Sequence, residues 1–206
     1  MSPSRRICVL ASGRGTNLQA LLDAIREGRL DAQVVAVVSH TPTALALERA
    51  RRYGIPAHFI SVPKKHDNRD EWDSKLADLV ASTEPDLVYL LGWMRILGPS
   101  FIRRFPDPTH PGHSRILNLH PALPGDLPGT DAISRAHAEA EAGKRAHTGV
   151  MVHVVTPEVD VGPTVAVETL TIAPNTSLDD LEYAVHALEH RLVVEAARLF
   201  FGDRPA

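Results

Sequence analysis

Ile7-Cys8-Val9-Leu10-Ala11-Ser12-Gly13-Arg14-Gly15-Thr16-Asn17-Leu18 runs from an apolar stretch through a glycine turn into a segment of helical spacing. The apolar run is too short for a helix and fits a strand buried on both faces. Gly13 and Gly15 let the backbone approach a ligand. The N–H groups around Thr16 and Asn17 meet the positive end of the helix, so a phosphate is the natural guest, and Arg14 adds charge. The loop is not a Walker A loop, since no Gly-Lys-Ser/Thr follows. Nor is it the dinucleotide Gly-x-Gly-x-x-Gly, since position 18 is leucine. An ordinary strand-to-helix turn capped by Thr16 accounts for the same residues. Position favours a ligand, because open α/β sheets bind beyond the carboxyl ends of their strands.

Outward from this unit the alternation continues. Residues 34–38, 57–60, 87–91 and 116–119 read as buried strands, and 18–25, 44–53, 72–82 and 130–142 as the helices between them. Short apolar strands separated by helices imply right-handed crossovers. The fold expected is α/β: a Rossmann-like, doubly wound, mostly parallel sheet with helices on both faces. Residues 148–155 and 164–172 are β-branched and suit an antiparallel C-terminal edge. A long closing helix spans 178–201, with Ser177 as N-cap and Asp179 and Asp180 at its positive end. No repeat or low-complexity tract interrupts the chain. The proline-rich stretch 105–114 is too short for a linker, so 1–206 reads as a single domain.

Of 206 residues, 44% are hydrophobic, and the net charge is −3. With no block of Lys or Arg there is no electrostatic footprint for nucleic acid or anionic lipid. Cys8 is the only cysteine; it fits a reducing cytosol and the role of core filler. Arg5-Arg6 precedes an apolar run shorter than that of an export signal, and no stretch nears the ~18 apolar residues of a membrane span. The expectation is a soluble, cytoplasmic protein without membrane partners.

Two motifs carry chemistry. Asn118-Leu119-His120-Pro121 ends a strand that Pro121 stops, so the side chains of Asn118 and His120 leave one face. Asp160-Val161-Gly162-Pro163 supplies a carboxylate. An amide and an imidazole aimed at one point can hold the oxygen of a tetrahedral intermediate, and a carboxylate nearby fixes the ring's tautomer and charge. Gly92-Trp93-Met94-Arg95-Ile96-Leu97, after the fourth strand, could line a slot for a flat ring; Trp93 and Met94 as core residues is the simpler reading. His110, His113 and His120, or His186 with His190, invite a metal. The pattern and the completing ligands of a zinc site are missing, so no metal is expected. His186 and Glu189 share a face of the last helix, either as an ordinary exposed face or as a carboxylate that recognises an amine.

SGRGTNLQ (12–19), GWMRIL (92–97), NLHPALPGDLPG (118–129), VHVVTPEVDVGP (152–163) and Glu189-His190 together resemble the glycinamide ribonucleotide formyltransferases, folate-dependent enzymes of purine biosynthesis. The resemblance covers nearly the whole chain, in order. It implies a catalytic trio of Asn118, His120 and Asp160. It implies a nucleotide site of Gly13, Arg14, Gly15, Thr16 and Asn17, with His186 alongside the amine-recognising Glu189. It implies a folate site at Met94, Arg95, Ile96, Leu97 and Asn118 together with the loop before Asp160. Arg69 is similar to a family arginine beside the bound substrate and is assigned to the folate group. The chain departs from the family in a longer 105–114 loop and in Ala122-Leu123-Pro124-Gly125, where many relatives carry a Ser-Leu-Leu-Pro run.

The reaction implied takes 10-formyltetrahydrofolate, as co-substrate, and 5′-phosphoribosylglycinamide to tetrahydrofolate and the N-formyl product. A protonated His120 and Asn118 would serve the formyl oxygen, without a metal, in a monomer or homodimer. Formyltetrahydrofolate hydrolases and the formyltransferases acting on methionyl-tRNA or sugars share the trio. The hydrolase and tRNA enzymes typically carry an extra domain, for which this chain leaves no room. A non-catalytic nucleotide-binding module would need only the glycine loop.

Overall fold

The computed structural model describes residues 5–62 and 68–202. Strands β1 (Arg5–Leu10), β2 (Ala32–Ser39), β3 (Ala57–Phe59), β4 (Leu87–Leu90), β5 (Ile116–His120), β6 (His147–Val154) and β7 (Thr164–Thr171) form one sheet in the order β3-β2-β1-β4-β5-β6-β7. The first five are parallel, and β6 and β7 join antiparallel. Between them lie α1 (Thr16–Arg26), α2 (Leu45–Arg52), α3 (Arg69–Ala81), α4 (Pro99–Ile102) and α5 (Ala132–Glu141), and α6 (Leu178–Phe200) closes the chain.

The unbroken apolar runs follow from burial on both faces, since successive strand side chains point opposite ways. Ile7, Val9, Leu87 and Tyr89 join one apolar layer with α1, α2, α5 and α6, while Cys8, Leu10, Val88 and Leu90 join the other with α3 and α4. Each fully buried Leu or Val in these layers contributes on the order of 2 kcal/mol. The Tyr89 hydroxyl donates to the Val193 carbonyl at 3.1 Å, tying β4 to the middle of α6. Cys8 is wholly buried, and that burial pushes its thiol up to about 12.

Four details differ from the reading of the sequence; the first is that β3, read as buried, is the edge strand of the sheet and leaves Phe59 exposed. Helix α1 begins at Thr16 with Gly15 as its cap, at φ +70°, and no side chain caps it. A side chain at position 15 would be strained by that φ and would also meet Ala46 Cα at 2.8 Å. Helix α4, a single turn begun by Pro99, has too few residues to show a period. Helix α3 starts three residues before Trp72, where the Asn68 side chain accepts from Asp70 N–H at 3.0 Å. Ser177 caps α6 as expected, its hydroxyl accepting from Asp180 N–H at 3.2 Å.

The chain winds outward from β1 through β2 to β3, then crosses to β4 on the other side of β1. The loops leaving β1 and β4 therefore diverge at the carboxyl edge and open a crevice there. They are joined at its root by Ser12 N–H donating to Gly92 O at 3.1 Å. Among the described residues no helix is long and apolar enough to cross a membrane.

Candidate active site

A cleft of about 720 Å³ opens at this crevice, bounded by the 12–17 turn, the 90–97 loop, the end of β5, the 129–134 and 155–160 loops, and α6. At one end is the glycine turn. The first N–H groups of α1 have no acceptor within their own helix, as at any helix start. Arg14 Nη2 lies 3.5 Å from His186 Nε2. His186 Nδ1 lies 2.9 Å from Glu189 Oε2, which also accepts from Asn17 Nδ2 at 3.1 Å. Glu189 is buried, and its bond holds the His186 ring above its ordinary pKa against the pull of burial.

At the floor, β5 delivers Asn118 and His120 from one face, and the loop after β6 brings in Asp160. Asn118 Nδ2 donates to Asp160 Oδ1 at 3.2 Å, and His120 Nδ1 lies 3.6 Å from Asp160 Oδ2. Gly129 N–H donates to Asp160 Oδ2 at 2.9 Å. Asp160 adopts φ +57°, an unusual conformation for a residue with a side chain. Two residues on, Gly162 packs so closely on Val154 that any Cβ would overlap its carbonyl, and Val154 N–H donates to Pro163 O at 2.8 Å. Burial would raise the Asp160 carboxyl, but His153, the Gly129 N–H and His120 together hold it below the ordinary value.

His120 Nε2 lies 3.1 Å from the Leu127 carbonyl, which can only accept, so the ring's proton sits on Nε2 and Nδ1 faces the cleft and Asp160. Burial lowers the pKa of this ring, and Asp160 opposes the shift only in part. A charged ring loses its hydration in such a place, which is the physical cause of the shift.

Residues 5–197 match a family profile described as formyl transferase. The chain belongs to the formyl transferase family. This formyl transferase is 40% identical to the phosphoribosylglycinamide formyltransferase of Dictyostelium discoideum, over 94% of its own length and 96% of the relative's. It is 36% identical to that of Escherichia coli, over 90% and 82% of the two chains. A solved glycinamide ribonucleotide transformylase from Symbiobacterium toebii superposes with a TM-score of 0.87 at 37% identity, covering 99% of this chain and 91% of that one. The doubly wound fold with an antiparallel edge is thus shared with these relatives.

The formyl transferase brings nearly all the residues read from its sequence to one cleft: Gly13, Arg14, Gly15, Thr16, Asn17, Met94, Arg95, Ile96, Leu97, Asn118, His120, Asp160, His186 and Glu189 all line it. Arg69 does not. Its guanidinium bonds Asp73 and the Ile96 carbonyl behind the loop. The 92–97 loop splits its side chains. Trp93 is core, in a ring series with His40 at 4.8 Å and Trp72 at 6.4 Å, while Met94 and Ile96 are each 64% exposed. The core reading therefore holds for Trp93 and fails for Met94. Among the described residues no three His, Cys, Asp or Glu side chains are grouped to hold a metal.

His153 is a cleft residue, bonded to the trio, that sequence reasoning left unassigned. It is the cross-strand partner of Asn118. Its Nε2 is 3.1 Å from Asn118 Nδ2 and 3.4 Å from Asp160 Oδ1, and its Nδ1 is 3.0 Å from Val154 O. A neutral ring with its proton on Nδ1 accepts from Asn118, and an imidazolium donates to Asp160. The available signal was a single polar residue in the apolar run Val150-Met151-Val152-His153-Val154.

Proposed function

We propose that this chain transfers the formyl group of 10-formyltetrahydrofolate to the amine of 5′-phosphoribosylglycinamide, and that residues 1–206 act as one catalytic domain. The observation that carries the reading is the cluster at the cleft floor, where Asp160 is bonded by Asn118 and Gly129 and faces His120 Nδ1. The 12–17 turn and the exposed Met94 and Ile96 line the same cleft. The nucleotide's phosphate would take the 13–17 turn with Arg14 and His186, its amine would approach Glu189, and the pterin would lie along the 92–97 loop.

In this reading the amine nitrogen attacks the formyl carbon, the carbon's bond to N10 of the folate breaks, and the amine's proton ends on N10. Charge gathers on the formyl oxygen as the amine adds. Neutral His120 takes up the released proton at Nδ1, directly or through a water, and becomes an imidazolium beside Asp160. Its Nδ1–H then holds the oxyanion by a hydrogen bond, and as the tetrahedral intermediate collapses and the bond to N10 breaks, that proton passes to N10. Asn118 can turn the N–H that it donates to Asp160 toward the same oxygen as a hydrogen bond. Donors of this kind are worth roughly 3–4 kcal/mol each in comparable sites. Holding both substrates in one cleft adds the orientation that a bimolecular encounter lacks.

The deciding experiment follows tetrahydrofolate release with and without 5′-phosphoribosylglycinamide. Release that requires the nucleotide is the outcome expected. Release without it would make the enzyme a hydrolase, and none with both substrates present would end the proposal.

A further inference from the structure

Residues 121–131 form neither helix nor strand, and Gly125, Leu127, Gly129 and Asp131 among them adopt a left-handed backbone, at φ +77°, +43°, +84° and +58°. This irregular segment nonetheless touches the catalytic trio twice through its main chain. The Leu127 carbonyl accepts from His120 Nε2 at 3.1 Å, and Gly129 N–H donates to Asp160 Oδ2 at 2.9 Å. A backbone with no hydrogen-bond ladder of its own takes its shape from the side chains that grip it.

Arg145, just before β6, supplies the grip from behind. Its guanidinium forks onto Asp126, Nη1 to Oδ2 at 2.5 Å and Nη2 to Oδ1 at 2.9 Å, while Nε donates to Glu139 Oε2 on α5 at 2.8 Å. Single ion pairs at a surface are worth little. A two-pronged pair backed by a second carboxylate, on an arginine whose side chain is only 14% exposed, is the geometry that fixes a position. The bond to Arg145 holds the Asp126 carboxyl below the ordinary aspartate value, so the pair stays ionised where histidines titrate. Neither residue lines the cleft.

The position matters because two acceptors compete for the one proton of a neutral His120 ring. The Leu127 carbonyl lies 3.1 Å from Nε2 and Asp160 Oδ2 lies 3.6 Å from Nδ1, so the first is a hydrogen bond and the second is beyond the reach of one. A carbonyl drawn back from the ring would lose that advantage. The charge of Asp160 would then pull the proton to Nδ1 and leave no free nitrogen facing the cleft.

We propose that Asp126 and Arg145 are positioning residues: without touching either substrate, they hold the Leu127 carbonyl against His120 and so keep the ring in the tautomer whose Nδ1 is free to take a proton in the cleft. The inference rests on the function proposed above and deepens it.

The test is Arg145→Met, Asp126→Asn and the double variant, each with a melting curve, steady-state kinetics and ring-nitrogen NMR of His120, whose signals are identified by their loss in His120→Gln. In the unmodified protein the neutral ring should carry its proton on Nε2. In each single variant the Nδ1-protonated form should grow and kcat should fall about tenfold, the ratio that one hydrogen bond shifts, with both KM values within about twofold. The double variant should be little worse than either single one, as members of one network behave. The acid limb of kcat should also move to lower pH, because the carbonyl favours the charged ring and its loss leaves the effect of burial less opposed; Asp160, His153 and Arg135 are the other charged or titratable groups around the ring. Asp126→Asn keeps the side chain's shape and reports even if Arg145→Met folds poorly. A folded Arg145→Met that retains the Nε2 proton and full kcat would overturn the proposal whatever its Tm, since a purely structural ion pair behaves that way. So would a loss carried by KM with kcat unchanged, or an Nδ1 proton in the unmodified protein. Inactivity of the unmodified protein would instead count against the proposed function, while the ring-nitrogen spectrum would still read the tautomer.

Discussion

Burial draws the His120 pKa below the ordinary histidine value, with Asp160 opposing it, and the Leu127 carbonyl keeps the remaining proton on Nε2. A site that needs His120 neutral and Asp160 ionised gains activity as pH rises through the lowered histidine pKa. The kcat should therefore fall on the acid side at a pH below 6.5, the unperturbed value, which a pH–rate profile would check. His120→Ala and Asp160→Asn should each lower kcat by about 10²–10⁴-fold with the far-UV spectrum unchanged; near-normal turnover in both would remove them from the mechanism. His186 has the opposite sign. Its pKa is raised by Glu189, so it stays charged to higher pH than a free histidine, and the nucleotide's KM should climb once pH passes that raised value. His186→Gln should flatten this rise. Asn118, His120 and Asp160 were legible from the sequence because each stands in a short motif whose proline or glycine marks a strand end or turn. His153 was not, because its role comes from pairing with Asn118 across β5 and β6, a register that no local pattern states.

Elements of the sheet could be read because strands buried on both faces are written as unbroken apolar runs, and β1, β2, β4 and β5 all have that form. The cap of α1 was misplaced by one residue. Thr16 has the chemistry of a cap, but the left-handed backbone falls at Gly15, and tight packing on Ala46 forbids a side chain there. Gly15→Ala should consequently cost at least about 1–2 kcal/mol for the left-handed backbone alone and lower Tm by several degrees. Gly162→Ala is expected to act on turnover as well as on stability. Its Cβ would overlap Val154 O and displace the loop that carries Asp160, so kcat should fall along with Tm, whereas Ser177→Ala at the start of α6 should cost about 1 kcal/mol and leave kcat alone. Calorimetry beside a steady-state assay separates the two cases.

Across the whole molecule, Cys8 reports on folding. It lies fully buried between β1 and the layer formed by α3 and α4, with its thiol pushed up to about 12. A thiol reagent should modify it only through unfolded or widely opened forms, so the labelling rate in mild denaturant should track the unfolding equilibrium. Fast labelling of the native protein would indicate an opening of β1 that its packing does not suggest.

The cleft also draws on distant parts of the chain: the 12–17 turn follows β1 and the 92–97 loop follows β4, whereas Asp160 follows β6 and both His186 and Glu189 ride on α6. The last of these side chains is joined to Asn17, 172 positions earlier. The five parallel strands all precede the acid and the glutamate in sequence. Loss of α6 would therefore take His186 and Glu189 from the cleft together with the Asn17 contact, while every pairing among β1 to β5 lies upstream of it in sequence.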